Sequence, residues 1–210
     1  MKLAIGHYHL NRGGVTRVIE NQLLALDSTL DNGEPHEALI LYGGRHEGWP
    51  SRLAQRLQRI RLRLRPLPAL DYDSEQPASA EPLQSQLVEA LQEADFSPGE
   101  TIVHVHNHSI GKNAALPGAV WDLAARGYGL LLQIHDFAED QRPENFRLLV
   151  QAGRGTAGWH GRLYPQAPNV HFAVLNGRDR RVLRSAGMPA EQLHFLPNPV
   201  LPLEVIPDRE

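Results

Sequence analysis

Seven short apolar runs, most of them closed by a glycine, histidine or asparagine, set the strongest limit on what this 210-residue chain can fold into. The first is Leu3-Ala4-Ile5, which gives way to His7, Tyr8 and His9. Gly13-Gly14 follows, and Val15, Val18, Ile19, Leu23 and Leu26 then recur at the spacing of one helix face, predicting a helix from about Thr16 to Asp27. Further strands are predicted at Ala38 to Tyr42, around Ile60, Leu62 and Leu64, at Thr101 to His106, at Gly129 to Ile134, at Val170 to Leu175 and at Leu193 to Leu196. Between them, helices are expected beside Leu53 and Leu57, from Pro82 through Leu91, over Ala119 to Arg126 and over Asp179 to Ala186. The continuous apolar run Gly129 to Ile134 suits a strand covered by helices on both faces. The alternation predicts an α/β fold: one domain over 1–200, with an open, mostly parallel sheet of about seven strands, right-handed crossovers and helices on both faces.

Composition narrows the function classes. Hydrophobic residues make up 41%, and Lys+Arg 21 against Asp+Glu 24 leaves a formal charge of -3, as in an ordinary folded domain. With no cysteine there is no disulfide framework, no thiolate metal site and no cysteine nucleophile. The first apolar run turns polar too early for a signal peptide, and no stretch approaches the roughly 18 apolar residues of a membrane span, so a cytoplasmic location is expected with peripheral membrane contact left open. Seven arginines between Arg45 and Arg65 could meet phosphates, yet the eight acidic residues that follow before residue 101 and the net negative charge argue against nucleic acid as a partner. The Pro-, Ser- and Ala-rich stretch from Gln76 to Pro82 reads as a solvated loop.

In open α/β sheets ligands bind beyond the carboxyl ends of the strands. There the sequence offers His7-Tyr8-His9 with Gly13-Gly14, then Asn107-His108, His135-Asp136 and Asn176-Gly177. A glycine pair between strand and helix serves either as plain turn chemistry or as bare backbone that a phosphate or sugar can approach at the positive end of a helix. It is neither a Walker loop nor a dinucleotide fingerprint. His7-x-His9 and His104-x-His106-x-His108 place histidines at alternate positions, hence on one strand face. They could bind a metal, or they could hydrogen-bond backbone and substrate hydroxyls.

Four segments together resemble the N-terminal half of a GT-B glycosyltransferase, of the large retaining class that includes glycogen-synthase-like enzymes and bacterial mannosyltransferases. They are His7 to Val18, Ile102 to His108, Leu132 to Phe137, and Val174-Leu175-Asn176 through Gly187-Met188-Pro189 to Leu193-His194-Phe195-Leu196-Pro197-Asn198-Pro199-Val200. The resemblance implies a Rossmann-like, acceptor-side domain over 1–200, with 201–210 the start of an interdomain linker or a disordered tail, and a donor-binding Rossmann-like domain lying beyond Glu210. It implies transfer of a hexose from a nucleotide sugar to a hydroxyl-bearing acceptor, without metal or other cofactor, and an inactive chain when this domain stands alone. Gly13 and Gly14 would face the donor, His135 would sit beside the transferred sugar as the catalytic group, and Asn107, His108 and Asp136 would line the acceptor side. The run Asp136-Phe137-Ala138-Glu139-Asp140 is more acidic than that family's pattern. Two other readings fit the residues: a metal-dependent hydrolase built on the histidines, and a stand-alone Rossmann-like binding module.

Overall fold

Strands that are apolar on both faces must be covered on both sides, and that requirement organises this molecule. The computed structural model describes residues 1–31, 33, 36–73, 79–154 and 158–200. The elements run β1 (Lys2–His7), α1 (Gly14–Thr29), β2 (His36–Tyr42), α2 (Leu53–Arg56), β3 (Ile60–Pro66), α3 (Ala80–Glu93), β4 (Thr101–His106), α4 (Leu116–Ala125), β5 (Gly129–Ile134), α5 (Pro143–Gly153), α6 (Trp159–Leu163), β6 (Val170–Val174), α7 (Gly177–Ser185) and β7 (Leu193–Phe195). The seven strands form one sheet in the order β3-β2-β1-β4-β5-β6-β7, and every neighbouring pair is parallel. The α/β, Rossmann-like expectation therefore stands, with the sheet wholly parallel.

Alternation along each strand divides the core in two. On one face Ile5, Ala38, Ile40 and Ile60 pack against Ile19 and Leu23 of α1 and Leu53 at the start of α2. On the other, Val103, Val105, Leu130, Leu132 and Phe172 pack against Leu83 and Leu87 of α3, Leu116 and Val120 of α4 and Leu183 of α7. Asp27, buried near the end of α1, accepts from the backbone amides of Gln58 at 3.0 Å, Arg59 at 2.7 Å and Ile60 at 2.9 Å, and so fixes where β3 begins. Burial pushes the Asp27 carboxyl up, but the three amides and the Arg59 charge outweigh it and hold it below the ordinary range.

Local chemistry shifts several boundaries. Pro82 lies in the first turn of α3 rather than at its first position, which is tolerated because no amide there has an intrahelical partner. Helices α5 and α6 fall in a stretch for which the sequence pattern predicts no element; α5 opens with Pro143 and is held by Asn145 Nδ2 donating to the Ile110 carbonyl at 2.9 Å. The arginine-rich stretch is largely ion-paired: Arg45 with Asp71, Arg56 with Glu20, Arg63 with Glu37 and Arg65 with Glu93. Part of the expected 76–82 loop and all of the expected 201–210 linker lie outside the described residues. Among the described residues no helix is long and apolar enough to cross a membrane.

Candidate functional site

Strand order reverses between β1 and β4, since β2 and β3 lie to one side of β1 and β4 to β7 to the other. The loops leaving the carboxyl ends of these two central strands run in opposite directions and leave a crevice between them. A cavity of about 230 Å³ occupies this place, lined by residues from the β1–α1 turn, by Tyr72 after β3, by Asn107, Ile110 and Lys112 after β4, and by Asp136 and Arg142 after β5. Larger depressions lie beside Phe96 and Tyr128, about 540 Å³, and between Tyr164 and Met188, about 460 Å³, and neither includes a residue of the β1–α1 turn. We take the switch-point cavity as the site because it gathers residues that follow β1, β3, β4 and β5.

Gly13 and Gly14 form one wall. Gly13 has φ 175°, extended backbone that any residue adopts, and no side chain caps the helix that follows. A Cβ on Gly13 would come no closer than 3.9 Å to any atom it could meet, and one on Gly14 would meet nothing within 4 Å. The fold itself does not require glycine at either position. What the pair does is leave the start of α1, which has no acidic residue in its first turn, bare toward the cavity. Free N–H groups and the positive end of the helix macrodipole then face whatever binds there.

Asn107 forms the junction between β4 and the cavity. Its φ is 56°, left-handed backbone that Asn tolerates better than most residues. Its Oδ1 accepts from the amides of His135 at 2.7 Å and Asp136 at 3.2 Å, and its carbonyl accepts from the hydroxyl of buried Tyr8 at 2.6 Å. One side chain thus ties the ends of β4 and β5 together, while its carbonyl holds the loop after β1. Asp136, presented by this junction, pairs with Arg142 at 2.9 Å.

The left-handed turn at Asn107 also separates the histidines that period-2 spacing puts on one face. His104 and His106 do share a face, stacked with ring centroids 4.4 Å apart, and His106 Nδ1 lies 2.9 Å from His135 Nε2. His108 is carried to the opposite side, where its ring packs near Phe172 and its Nε2 donates to the Leu163 carbonyl at 2.7 Å. Of the sequence-predicted site residues, Gly13, Gly14, Asn107 and Asp136 line the cavity, while His135, half-buried, packs against His106 without lining it, and His108 is fully buried away from it. Asn176 also stays away from the cavity and caps α7 instead, accepting from the amide of Asp179 at 2.9 Å.

Burial keeps this histidine cluster neutral. The His7 imidazole is held down to about 3 by burial, with His9 and His135 adding to the effect. His104 and His135 are held down to about 4, and burial again leads in both, against the Gln133 hydrogen bond in one and the Asp136 charge in the other. Gln133 Oε1, wholly buried, lies 3.0 Å from His104 Nε2 and accepts from Gln22 Nε2 of α1 at 2.9 Å. The rings therefore bond to one another and to amides, and among the described residues no group of three or more His, Cys, Asp or Glu side chains is arranged to hold a metal ion.

Four lining residues are absent from the sequence reading: Tyr72, Ile110, Lys112 and Arg142. Lys112 carries a usable signal, as one of only two lysines in the chain and placed just beyond the end of a central strand. Tyr72 carries none, because its approach depends on how the loop after β3 packs.

The chain is similar to a mannosylglucosyl-3-phosphoglycerate synthase from Petrotoga mobilis (strain DSM 10674 / SJ95), with 27% identity over 202 residues. The match covers 94% of this chain and 37% of that protein, so the chain spans little more than a third of its curated relative. No protein-family model and no solved structure matches the chain.

Proposed function

We propose that this chain is the acceptor-side half of a retaining, metal-independent glycosyltransferase of GT-B type, moving a hexose from a nucleotide sugar to a hydroxyl of its acceptor. A second Rossmann-like domain supplies most of the donor site. The observation that carries this reading is the glycine pair: backbone left bare at a helix N-terminus, beside the switch point, where the fold has no need of glycine. Similarity to a relative named as a synthase of a glycosylated compound supports the same chemistry. Uncapped amides and the helix dipole suit the negative charge that builds on a departing nucleoside diphosphate. Asn107 and Asp136 offer donors and acceptors for acceptor hydroxyls. His135 stays neutral near pH 7 and acts on the transferred sugar by hydrogen bonding, positioned by Asn107 and His106; His108 supports the β4 end from behind.

The decisive variant is Gly14→Ala, made in the full-length gene product. Replacing a helical glycine whose Cβ meets nothing should raise folding stability by about 0.5–1 kcal/mol. Hexose transfer from labelled nucleotide sugars should nevertheless fall at least tenfold, because the methyl group stands where the donor approaches. A variant that is both more stable and fully active would remove the glycine pair from the mechanism, and no transfer by the wild-type protein from any nucleotide hexose would end the reading altogether. His135→Ala should slow transfer by a similar factor while leaving donor binding within about threefold; wild-type transfer rates would discharge His135 from its role.

A further inference from the structure

Among the described residues, the ion pairs of the cavity lining leave one cation unpaired. Of the two cations that line it, Arg142 is paired with Asp136. Arg45, just behind Tyr72, is held by both oxygens of Asp71, with Nε at 2.7 Å. Lys112 meets no carboxylate among the described residues, whereas the other lysine, Lys2, pairs with Asp95 at 3.1 Å and Glu100 at 3.6 Å on the far side of the sheet. With two cations and one carboxylate, the lining carries a net charge of +1 in a chain whose total is -3.

Lys112 is also held in place. The Asp73 amide donates to its carbonyl at 2.8 Å, and the Ala114 amide donates to Asp73 Oδ2 at 2.7 Å. Its neighbour Asn113, 1% exposed, donates to the carbonyls of Ala69 at 2.8 Å and Asp71 at 2.7 Å and accepts from the amides of Ala115 and Leu116. These bonds fix the loop after β4 to the loop after β3. The Lys112 ammonium lies 5.5 Å from the centre of the Tyr72 ring, whose other neighbours are the Arg45 guanidinium at 5.1 Å and His9 Nε2, 3.0 Å from the hydroxyl. The Tyr72 ring attracts the Lys112 ammonium without neutralising it. Among the described residues, His9 Nδ1 is buried without a hydrogen-bond partner, as is Nδ1 of His7, itself 5% exposed and lining the cavity.

We propose that the acceptor carries an anionic oxygen group, a phosphate or a carboxylate, which docks on Lys112, with Tyr72 and His9 beside it. This rests on the glycosyl-transfer reading only in calling the ligand an acceptor. The leaving diphosphate has its own partner in the bare amides at Gly13 and Gly14, so Lys112 serves a second negative group. An ammonium suits this task because it approaches an anion as a point charge, with no fixed plane to satisfy.

Binding to the 210-residue chain tests this apart from transfer, by following the backbone amide signals of Tyr72 and residues 111–113 during titration with glucose, glucose 6-phosphate, glucuronate and inorganic pyrophosphate. Glucose 6-phosphate or glucuronate, or both, should bind at least tenfold more tightly than glucose at low salt, and which of them does so separates phosphate from carboxylate. Lys112→Gln should abolish that preference, Lys112→Arg should keep part of it, and neither should alter pyrophosphate binding at residues 13–16 by more than about twofold. Equal affinities for glucose and both anionic sugars would overturn the proposal, as would a preference that survives Lys112→Gln. A loss of pyrophosphate binding as large as the loss for the anionic sugars would assign Lys112 to the diphosphate, and would overturn it too. Failure of hexose transfer with the anion preference intact would count against the glycosyl-transfer reading alone.

Discussion

Between pH 7 and pH 5 this protein is expected to lose most of its folding stability. The cause is the histidine cluster of His7, His104, His106 and His135 beneath the candidate site, together with His108 on the other side of the sheet. His7 is held down to about 3, His104, His108 and His135 to about 4, and His106 well below its ordinary value, each chiefly by burial. In the unfolded chain the same rings take up protons near pH 6.5. The sign follows directly: below pH 6.5 the unfolded state binds more protons than the folded one, so stability is complete above that pH and drains away as the pH falls toward 4. At pH 5 each of the four rings held at about 3 to 4 favours the unfolded chain by about 2 kcal/mol, or about 8 kcal/mol together, with His106 acting in the same direction, which is comparable with the roughly 5–15 kcal/mol that holds a typical domain together. A circular-dichroism titration should show cooperative unfolding with a midpoint near pH 5, above the range in which the amide-bonded Asp27 carboxyl, held below its ordinary value, titrates. Replacing His104 by Gln, which keeps a polar group opposite Gln133, should move the midpoint to lower pH. A melting temperature at pH 4.5 within a few degrees of its pH 7 value would show that the rings are not held neutral.

The same cluster shows where sequence reasoning reaches and where it stops. Most strands were legible as apolar runs with a polar end, β3 as Ile60, Leu62 and Leu64 alternating with arginine, and α1 because Val18, Ile19 and Leu23 repeat at helical spacing behind a glycine pair. Right-handed crossovers then fix the face on which each helix lies but not the strand order, whose reversal between β1 and β4 no local pattern encodes. Helix α6 escaped because it is five residues long with one buried residue, Leu163, whereas α5 had a stripe to read, with Phe146, Leu149 and Val150 at helical spacing. Pro143 and Glu144 at the start of α5, ahead of Phe146 and Leu149, were the signal that a helix begins there. The histidines were visible as residues but not as an arrangement, because strand periodicity ends at His106, where Asn107 turns left-handed and sends His108 to the other side. The arginine run looked like a phosphate-binding patch or a solvated face, and which carboxylate answers each arginine depends on contacts 26 or more residues apart, such as Arg45 with Asp71. The site was half legible for the same reason. Residues at strand ends could be placed from the sheet rule, but Tyr72 and Lys112 reach the cavity through loops whose packing no local pattern encodes.

Asn107→Ala should then be the most damaging single change at the site, costing about 3 kcal/mol. Two losses contribute. The amides of His135 and Asp136 lose their acceptor, at about 1 kcal/mol or more each, and alanine at φ 56° adds roughly 1 kcal/mol that asparagine largely avoids. Asn107→Gly separates the two, since glycine accepts left-handed backbone but supplies no acceptor: it should recover only the strain, about a third of the loss. Urea unfolding at pH 7.5, where the histidines are neutral, measures both variants. Beyond stability, the amides of His135 and Asp136 should exchange with solvent at least tenfold faster in both variants, and Asp136 should no longer be held at the cavity wall. Full stability in Asn107→Gly would mean that strain at residue 107, and not the bridge from β4 to β5, is what asparagine relieves. Slow exchange at residues 135 and 136 in both variants would mean that some other group holds the end of β5, and the positioning of His135 and Asp136 would have to be sought elsewhere than in Asn107.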